Sequence, residues 1–195
     1  MDIRLFRQQL AWLRDNNYYF PTWDEAIAYL RGDIVLPDKS IVLTSDDGAP
    51  SFYQLAIPAV MDAGAKITSF VVLIDFDPAN LTLYDPTRIF FRSHSYDMHR
   101  LGDGGSARLL ESSAADIEDD VAKGEAVLGL KDVYCYPFGS VTDTAEQALA
   151  ASGVELALAI INEKAYPGMD MMNMPRLRMS DGISLDYFIE QVTPG

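Results

Sequence analysis

The chain has 195 residues, 49 % of them apolar and 23 % charged, a composition that suits one domain with a sizeable core and excludes a disordered polymer. Its net charge of −14, from 29 acidic and 15 basic residues with no Lys/Arg cluster, excludes a nucleic-acid partner and favours a neutral or partly cationic polymer over a polyanion. Cys135 is the single cysteine, which rules out an internal disulfide or a cysteine-rich zinc site.

Met1 to Phe6 carry no long apolar run, so no signal peptide is expected in this chain, and nothing later reaches the length of a membrane span. The protein is therefore either cytoplasmic or separated from its export segment. Ile3, Phe6, Leu10 and Leu13 recur at helical spacing up to Asn16-Asn17. Thr22 and Glu25 form a candidate capping box for a second helix, which Gly32 stops. After a turn at Leu36-Pro37-Asp38, Ser40 to Thr44 reads as a strand buried on both faces. A polar loop from Ser45 to Pro50 leads to a helix over Ser51–Ala63 with an internal Pro58 and a stop at Gly64.

Ile67–Ile74 is a second buried strand, Asp75–Thr87 reads as loop, and Ile89–Ser93 as the next strand. A bend at Gly102, Gly104 and Gly105 precedes a helix from Ala107 to Leu128. Val133–Tyr136 is a strand, Thr142–Ala151 a helix, Leu156–Ile161 a strand, Leu177–Met179 a short strand, and Leu185–Val192 a helix capped by Ser184. Alternating helices and continuously apolar strands call for a parallel sheet covered by helices. Periodicity leaves open sheet and barrel equally available. In both, functional groups gather where strands end.

Three polar sets stand at such ends. In Thr44-Ser45-Asp46-Asp47-Gly48, adjacent carboxylates repel unless a cation or proton intervenes; the alternative is a polar loop capping the next helix. His94-Ser95-Tyr96-Asp97-Met98-His99 holds the chain's only two histidines. A bend would converge them with a carboxylate into a zinc-type site; the alternative is a pair of scattered loop residues. In Tyr134-Cys135-Tyr136-Pro137-Phe138-Gly139, a tight turn can aim a backbone N–H at an oxyanion, or it is an ordinary strand-to-helix loop. Cys135 itself reads as a packing residue.

Together these sets resemble the T-F-D-D-G, H-[ST]-x-x-x-H and Y-P-[FY]-G motifs of the NodB-homology polysaccharide deacetylases, carbohydrate esterase family 4. They are most similar to the subgroup acting on poly-N-acetylglucosamine. Phe6 to Tyr19, Leu36 to Ser40, Met174-Pro175-Arg176-Leu177 and Ser184 to Val192 also resemble that subgroup, so the likeness covers most of the chain.

The resemblance implies an α/β fold, a distorted, incomplete (β/α) barrel over 1–195. It implies a divalent metal on Asp47, His94 and His99, zinc first, with cobalt, nickel or iron as alternatives. Asp46 would be the general base, Phe138 would give an oxyanion N–H and Arg176 would orient Asp46. Tyr96 and Tyr136, near the site, either stack on the sugar rings of a polysaccharide or oligosaccharide or belong to the core, as aromatic side chains more often do; the resemblance implies an extracytoplasmic or cell-surface working place. Three departures stand out: Ser45 occupies the usual Phe position, Cys135 stands where many relatives have Arg, and Asp75–Arg88 is short of a helix. The general-acid histidine of the subgroup would lie in a strand ahead of Met1. Two other readings stay open: a metal- or glycan-binding module that lost turnover, and an unrelated metal-dependent amidase or esterase for small molecules.

Overall fold

The computed structural model describes residues 2–194. Five parallel strands form one sheet in the order β1(Thr44–Ser45), β2(Ile67–Val71), β3(Ile89–Ser93), β4(Val133–Cys135), β5(Leu156–Leu158). Spatial order follows chain order, and every neighbouring pair is parallel. A doubly wound sheet reverses its strand order at a switch point; this one does not. Right-handed crossovers in unbroken sequence order curl a sheet toward closure. The fold is an incomplete (β/α) barrel, as the motifs implied, and all five strands end on the same rim. The strand expected ahead of Met1 lies outside the described residues.

Helices α1(Ile3–Asp15), α2(Trp23–Arg31) and α3(Ile57–Ala63) cover the first strands, with single turns α4(Asn80–Leu83) and α5(Arg108–Glu111) between β2 and α6. Helices α6(Ala114–Leu128), α7(Asp143–Ala151) and α8(Leu185–Val192) complete the set. Every residue of β2 is buried, as a strand covered on both faces must be. Val71 and Phe91 pack with Leu10, Phe52 and Val60, and Phe70 packs with Trp23, Ile27 and Leu158. Among the described residues no helix is long and apolar enough to cross a membrane.

Several elements differ from the periodicity. Only Thr44–Ser45 of the first expected strand pair with β2, because the Ile41 N–H is given to the Tyr19 carbonyl. The Ser51–Ala63 helix opens with a π-helical turn, Phe52–Ala56, before α3. Pro58 supplies no N–H and its ring crowds the carbonyl one turn back, which a wider turn relieves. The helix expected from Ala107 to Leu128 is two, broken where Ser113 and Asp116 form a capping box. The β2 strand stops at Val71 and passes into a 3-10 turn, Leu73–Asp75. Asp75–Thr87, expected as loop, holds α4. Leu177–Met179 is not a strand; the chain instead bridges β5 at Met174, where the Ala159 N–H donates to the Met174 carbonyl.

Candidate active site

The polar sets meet above the C-terminal rim. β1 ends at Ser45 and releases Asp46-Asp47; β3 ends at Ser93 and releases His94; β4 ends at Cys135 before the 3-10 turn Pro137–Gly139. The bridge at Met174 beside β5 brings Arg176 to the same rim.

Asp47 Oδ1 lies 3.4 Å from His94 Nε2 and 3.3 Å from His99 Nε2. Two ligands about 2.1 Å from a tetrahedral ion stand about 3.4 Å apart, so one carboxylate oxygen and two imidazole nitrogens already have the edges of such a site. His94 is 3 % exposed, and its Nδ1 lies 2.8 Å from the Cys135 carbonyl. An Nδ1–H donated there turns the Nε2 lone pair toward Asp47, the outer hydrogen bond that metal-binding histidines use. Burial pushes the His94 imidazole down, but its hydrogen bonds to Asp47 and to Cys135 outweigh this and push it up to about 10. The hydrogen bond from His94 holds Asp47 below the usual carboxylate range, and burial lowers His99. Asp47 is thus favoured as a carboxylate where the two imidazole nitrogens approach it, an arrangement that could hold a cation in place of a proton. The donor set fits a divalent ion of zinc type.

Asp46 faces another way. Its Oδ1 accepts from Arg176 Nη1 at 2.8 Å and its Oδ2 from Arg176 Nη2 at 2.6 Å. The guanidinium spends its other donors on the Thr44 hydroxyl at 3.3 Å, the Cys135 sulfur at 3.0 Å and the Ala159 carbonyl at 3.0 Å. Its plane is therefore fixed, and so is the carboxylate it grips. Asp46, His94 and Cys135 also lie close enough to suggest a second metal group. The Arg176 cation already touches two of those three, which leaves no favourable place for another positive ion.

Among the described residues four non-glycine ones have left-handed backbone, and three of them, Asp47 (φ 72), Ser95 (φ 73) and Phe138 (φ 56), belong to these rim loops. Strain of this kind costs on the order of 1–3 kcal/mol per residue and persists where surrounding contacts enforce it. Gly48 follows Asp47 with φ 63, and a Cβ there would stand 2.9 Å from Val71 Cγ1; only glycine fits both constraints. The Phe138 ring, 49 % exposed, stacks on His99 with centroids 4.2 Å apart.

The expected sugar-binding tyrosines are placed differently. Tyr136 is 1 % exposed and its hydroxyl donates to the Met172 carbonyl at 2.8 Å, so its ring is core rather than a platform. Tyr96 is half-buried against the apolar cluster of β2 and β3. A cleft of about 380 Å³ opens beside Asp47 and His99, with Tyr53, Asp75, Phe76, Asp77 and Asn80 on its walls. Those residues went unread, because they come from α3's entry turn and a stretch without periodicity. Cys135, read as packing, is also the Arg176 partner. Asp120 went unread too, though its position in the apolar stripe Ile117-Asp120-Val121-Gly124 was a signal.

A family model described as polysaccharide deacetylase matches residues 33–157. The poly-β-1,6-N-acetyl-D-glucosamine N-deacetylase of Staphylococcus epidermidis is 25 % identical over 193 residues, covering 90 % of this chain and 66 % of that protein. The Staphylococcus aureus protein of the same name is 22 % identical with the same coverage. The chain thus spans just under two thirds of the length of these curated relatives. Among solved structures, the Streptococcus pyogenes deacetylase PplD in complex with acetate superposes with a TM-score of 0.86 at 21 % identity, covering 98 % of this chain and 87 % of that one. IcaB from Ammonifex degensii gives 0.84 at 24 % identity, covering 99 % and 90 %.

Proposed function

The chain belongs to the polysaccharide deacetylase family, and on that premise we propose that it hydrolyses N-acetyl groups on an N-acetylglucosamine polymer with the help of a divalent cation. The carrying observation is the single Asp47 oxygen standing 3.3–3.4 Å from both imidazole nitrogens while Asp46, next in sequence, is left to Arg176. Asp47, His94 and His99 would hold the cation, zinc first, with cobalt, nickel or iron as alternatives. A cation so held supplies Lewis acidity, making its water easier to deprotonate and polarising the acetamide carbonyl.

Asp46 is then the general base: it lies beside the group without belonging to it, and it accepts the proton of the attacking water. Arg176 fixes the orientation in which that carboxylate meets the water. The backbone N–H of Phe138, carried on its left-handed turn, donates to the oxyanion formed when water adds to the carbonyl carbon. Collapse of that intermediate breaks the C–N bond, leaving acetate and a free amine. The departing amine takes up a proton, which Asp46, protonated in the first step, would return to it.

On this reading residues 1–195 are the deacetylase domain. The charge of −14 suits a polymer that gains amines as it is processed, and the names of the curated relatives make a β-1,6-linked N-acetylglucosamine chain the first substrate to try. A surface polymer of that kind puts the working site outside the cytoplasm. The test is acetate release from N-acetylglucosamine oligomers with added Zn²⁺ or Co²⁺, comparing Asp46→Asn. Release that falls about 10²–10⁴-fold in the variant, with cation binding kept, is expected. Cation bound without release by the parent would favour a module that binds and does not turn over; release from small acetyl esters alone would favour a different hydrolase.

A further inference from the structure

Asp120 is 5 % exposed, in the middle of α6, on the stripe that faces the sheet. A buried carboxylate is costly unless its oxygens are satisfied. Here the partners are two consecutive backbone N–H groups: Oδ1 accepts from Tyr96 and Oδ2 from Asp97, both at 2.8 Å. These are the two residues midway between His94 and His99. The nearby Arg108 donates to Asp97 Oδ2 at 3.2 Å rather than to Asp120. A charged group has been placed in the core to hold a loop, and that loop carries two of the three candidate ligands.

The remaining contacts show what the carboxylate adds. The Ser95 N–H donates to the Ser93 hydroxyl at 3.2 Å, and the Met98 N–H to the Ser95 hydroxyl at 3.0 Å. The Ser95 and Tyr96 carbonyls accept from Leu73 and Ile74. Ser95 turns the chain with φ 73, and without that turn imidazoles five positions apart would not converge. Among the described residues, Asp120 alone reaches the loop from a helix through both carboxylate oxygens, and so ties to α6 a loop that the backbone after β2 already holds from the other side.

We infer that Asp120 is the positioning residue of the cation site: its carboxylate, bridging the Tyr96 and Asp97 N–H groups, sets the span at which His94 and His99 both reach Asp47. This rests on the cation reading above. The carboxylate touches neither ion nor substrate; it acts through the backbone, as partners behind metal ligands do when they lock ligand orientation. Asparagine has one carbonyl oxygen and an NH₂ in place of the second, so Asp120→Asn would leave one N–H facing a donor.

The test is Zn²⁺ binding by calorimetry on the intact chain, with acetate release at saturating Zn²⁺ beside it. Asp120→Asn should bind Zn²⁺ about 10–100-fold more weakly while keeping, once saturated, a kcat within a few-fold of the parent, since Asp46 and Arg176 are untouched. Ile117→Val, on the same stripe, should lower thermal stability and leave the Zn²⁺ affinity unchanged. If Asp120→Asn does not fold, Asp120→Glu keeps both acceptor oxygens but displaces them by a methylene, and the same weakening is read there. A folded Asp120 variant with parental Zn²⁺ affinity overturns the inference alone. A parent that binds no divalent cation overturns the reading beneath it.

Discussion

The loop from His94 to His99 and the loop from Asp46 to Gly48 deliver side chains to one point, but they are held by different means. Each backbone N–H from His94 to Met98 has a partner: the Val71 carbonyl of β2 at 2.9 Å, the Ser93 hydroxyl of β3, the Asp120 carboxylate of α6 and, within the loop, the Ser95 hydroxyl. The acidic loop instead relies on backbone shape, with Asp47 and Gly48 both left-handed, and on a guanidinium 130 residues away in sequence. The Asp47 side chain is 60 % exposed, whereas that of His94 is 3 % exposed. A buried half and a more exposed half meet at the proposed cation site, and the proposed base sits on the exposed half, where its orientation depends on one remote clamp.

The sharpest way to break that comparison is Arg176→Ala, which leaves the Asp46 carboxylate without the cation that grips both of its oxygens. Turnover at saturating cation should fall about 10²–10⁴-fold, as for loss of a general base, while the Zn²⁺ dissociation constant stays within a few-fold. Arg176→Lys should recover only part of the rate, because an ammonium cannot grip both oxygens in one plane. If affinity fell with rate, the two loops would be one unit and the contrast would be lost. Next in size is cation binding itself. Zn²⁺ at about 100 times its dissociation constant should stabilise the chain by about 2.7 kcal/mol, read as a Tm rise of about 5–10 °C that EDTA reverses. His99→Ala should abolish that rise.

How legible the two loops were follows the same division. The candidate ligands and base could be named through the resemblance of motifs that begin at strand ends, and α2 was placed by Thr22 and Glu25, which do form a capping box. Local chemistry of that kind survives folding. The capping box at Ser113 and Asp116 was equally local, yet the apolar period running through it hid the break before α6. For Tyr136 the structure takes the core alternative; an aromatic beside a site looks the same in sequence whether its ring faces the cleft or the core. The grip of Arg176 on Asp46 depends on the chain returning to β5 at Met174, and no spacing encodes that return. Asp120 lies between these cases: its place on an apolar face was visible, but its partners in the histidine loop were not.

Gly48→Ala probes the shape of the exposed half. The added methyl would meet Val71 Cγ1 at 2.9 Å on a backbone with φ 63, so urea unfolding should show a loss of about 1–3 kcal/mol. A loss near zero would mean that the loop can move aside, and then its shape does not place Asp47.

The smallest effect is expected at Phe138, where two contributions oppose. Phe138→Gly relieves a left-handed residue with φ 56, worth about 1–2 kcal/mol. It also adds chain freedom to the unfolded state, at about 0.5–1 kcal/mol, and removes a ring stacked on His99 at 4.2 Å, worth about 0.5–1.5 kcal/mol. Stability should therefore move by no more than about 1.5 kcal/mol in urea. Turnover should still fall, because the turn that aims the Phe138 N–H no longer has a ring to anchor it against His99, and kcat should carry the loss rather than KM, since an oxyanion donor acts mainly in the transition state. A variant that became clearly more stable with kcat unchanged would show the strained turn to be a leftover of packing, with no part in the chemistry.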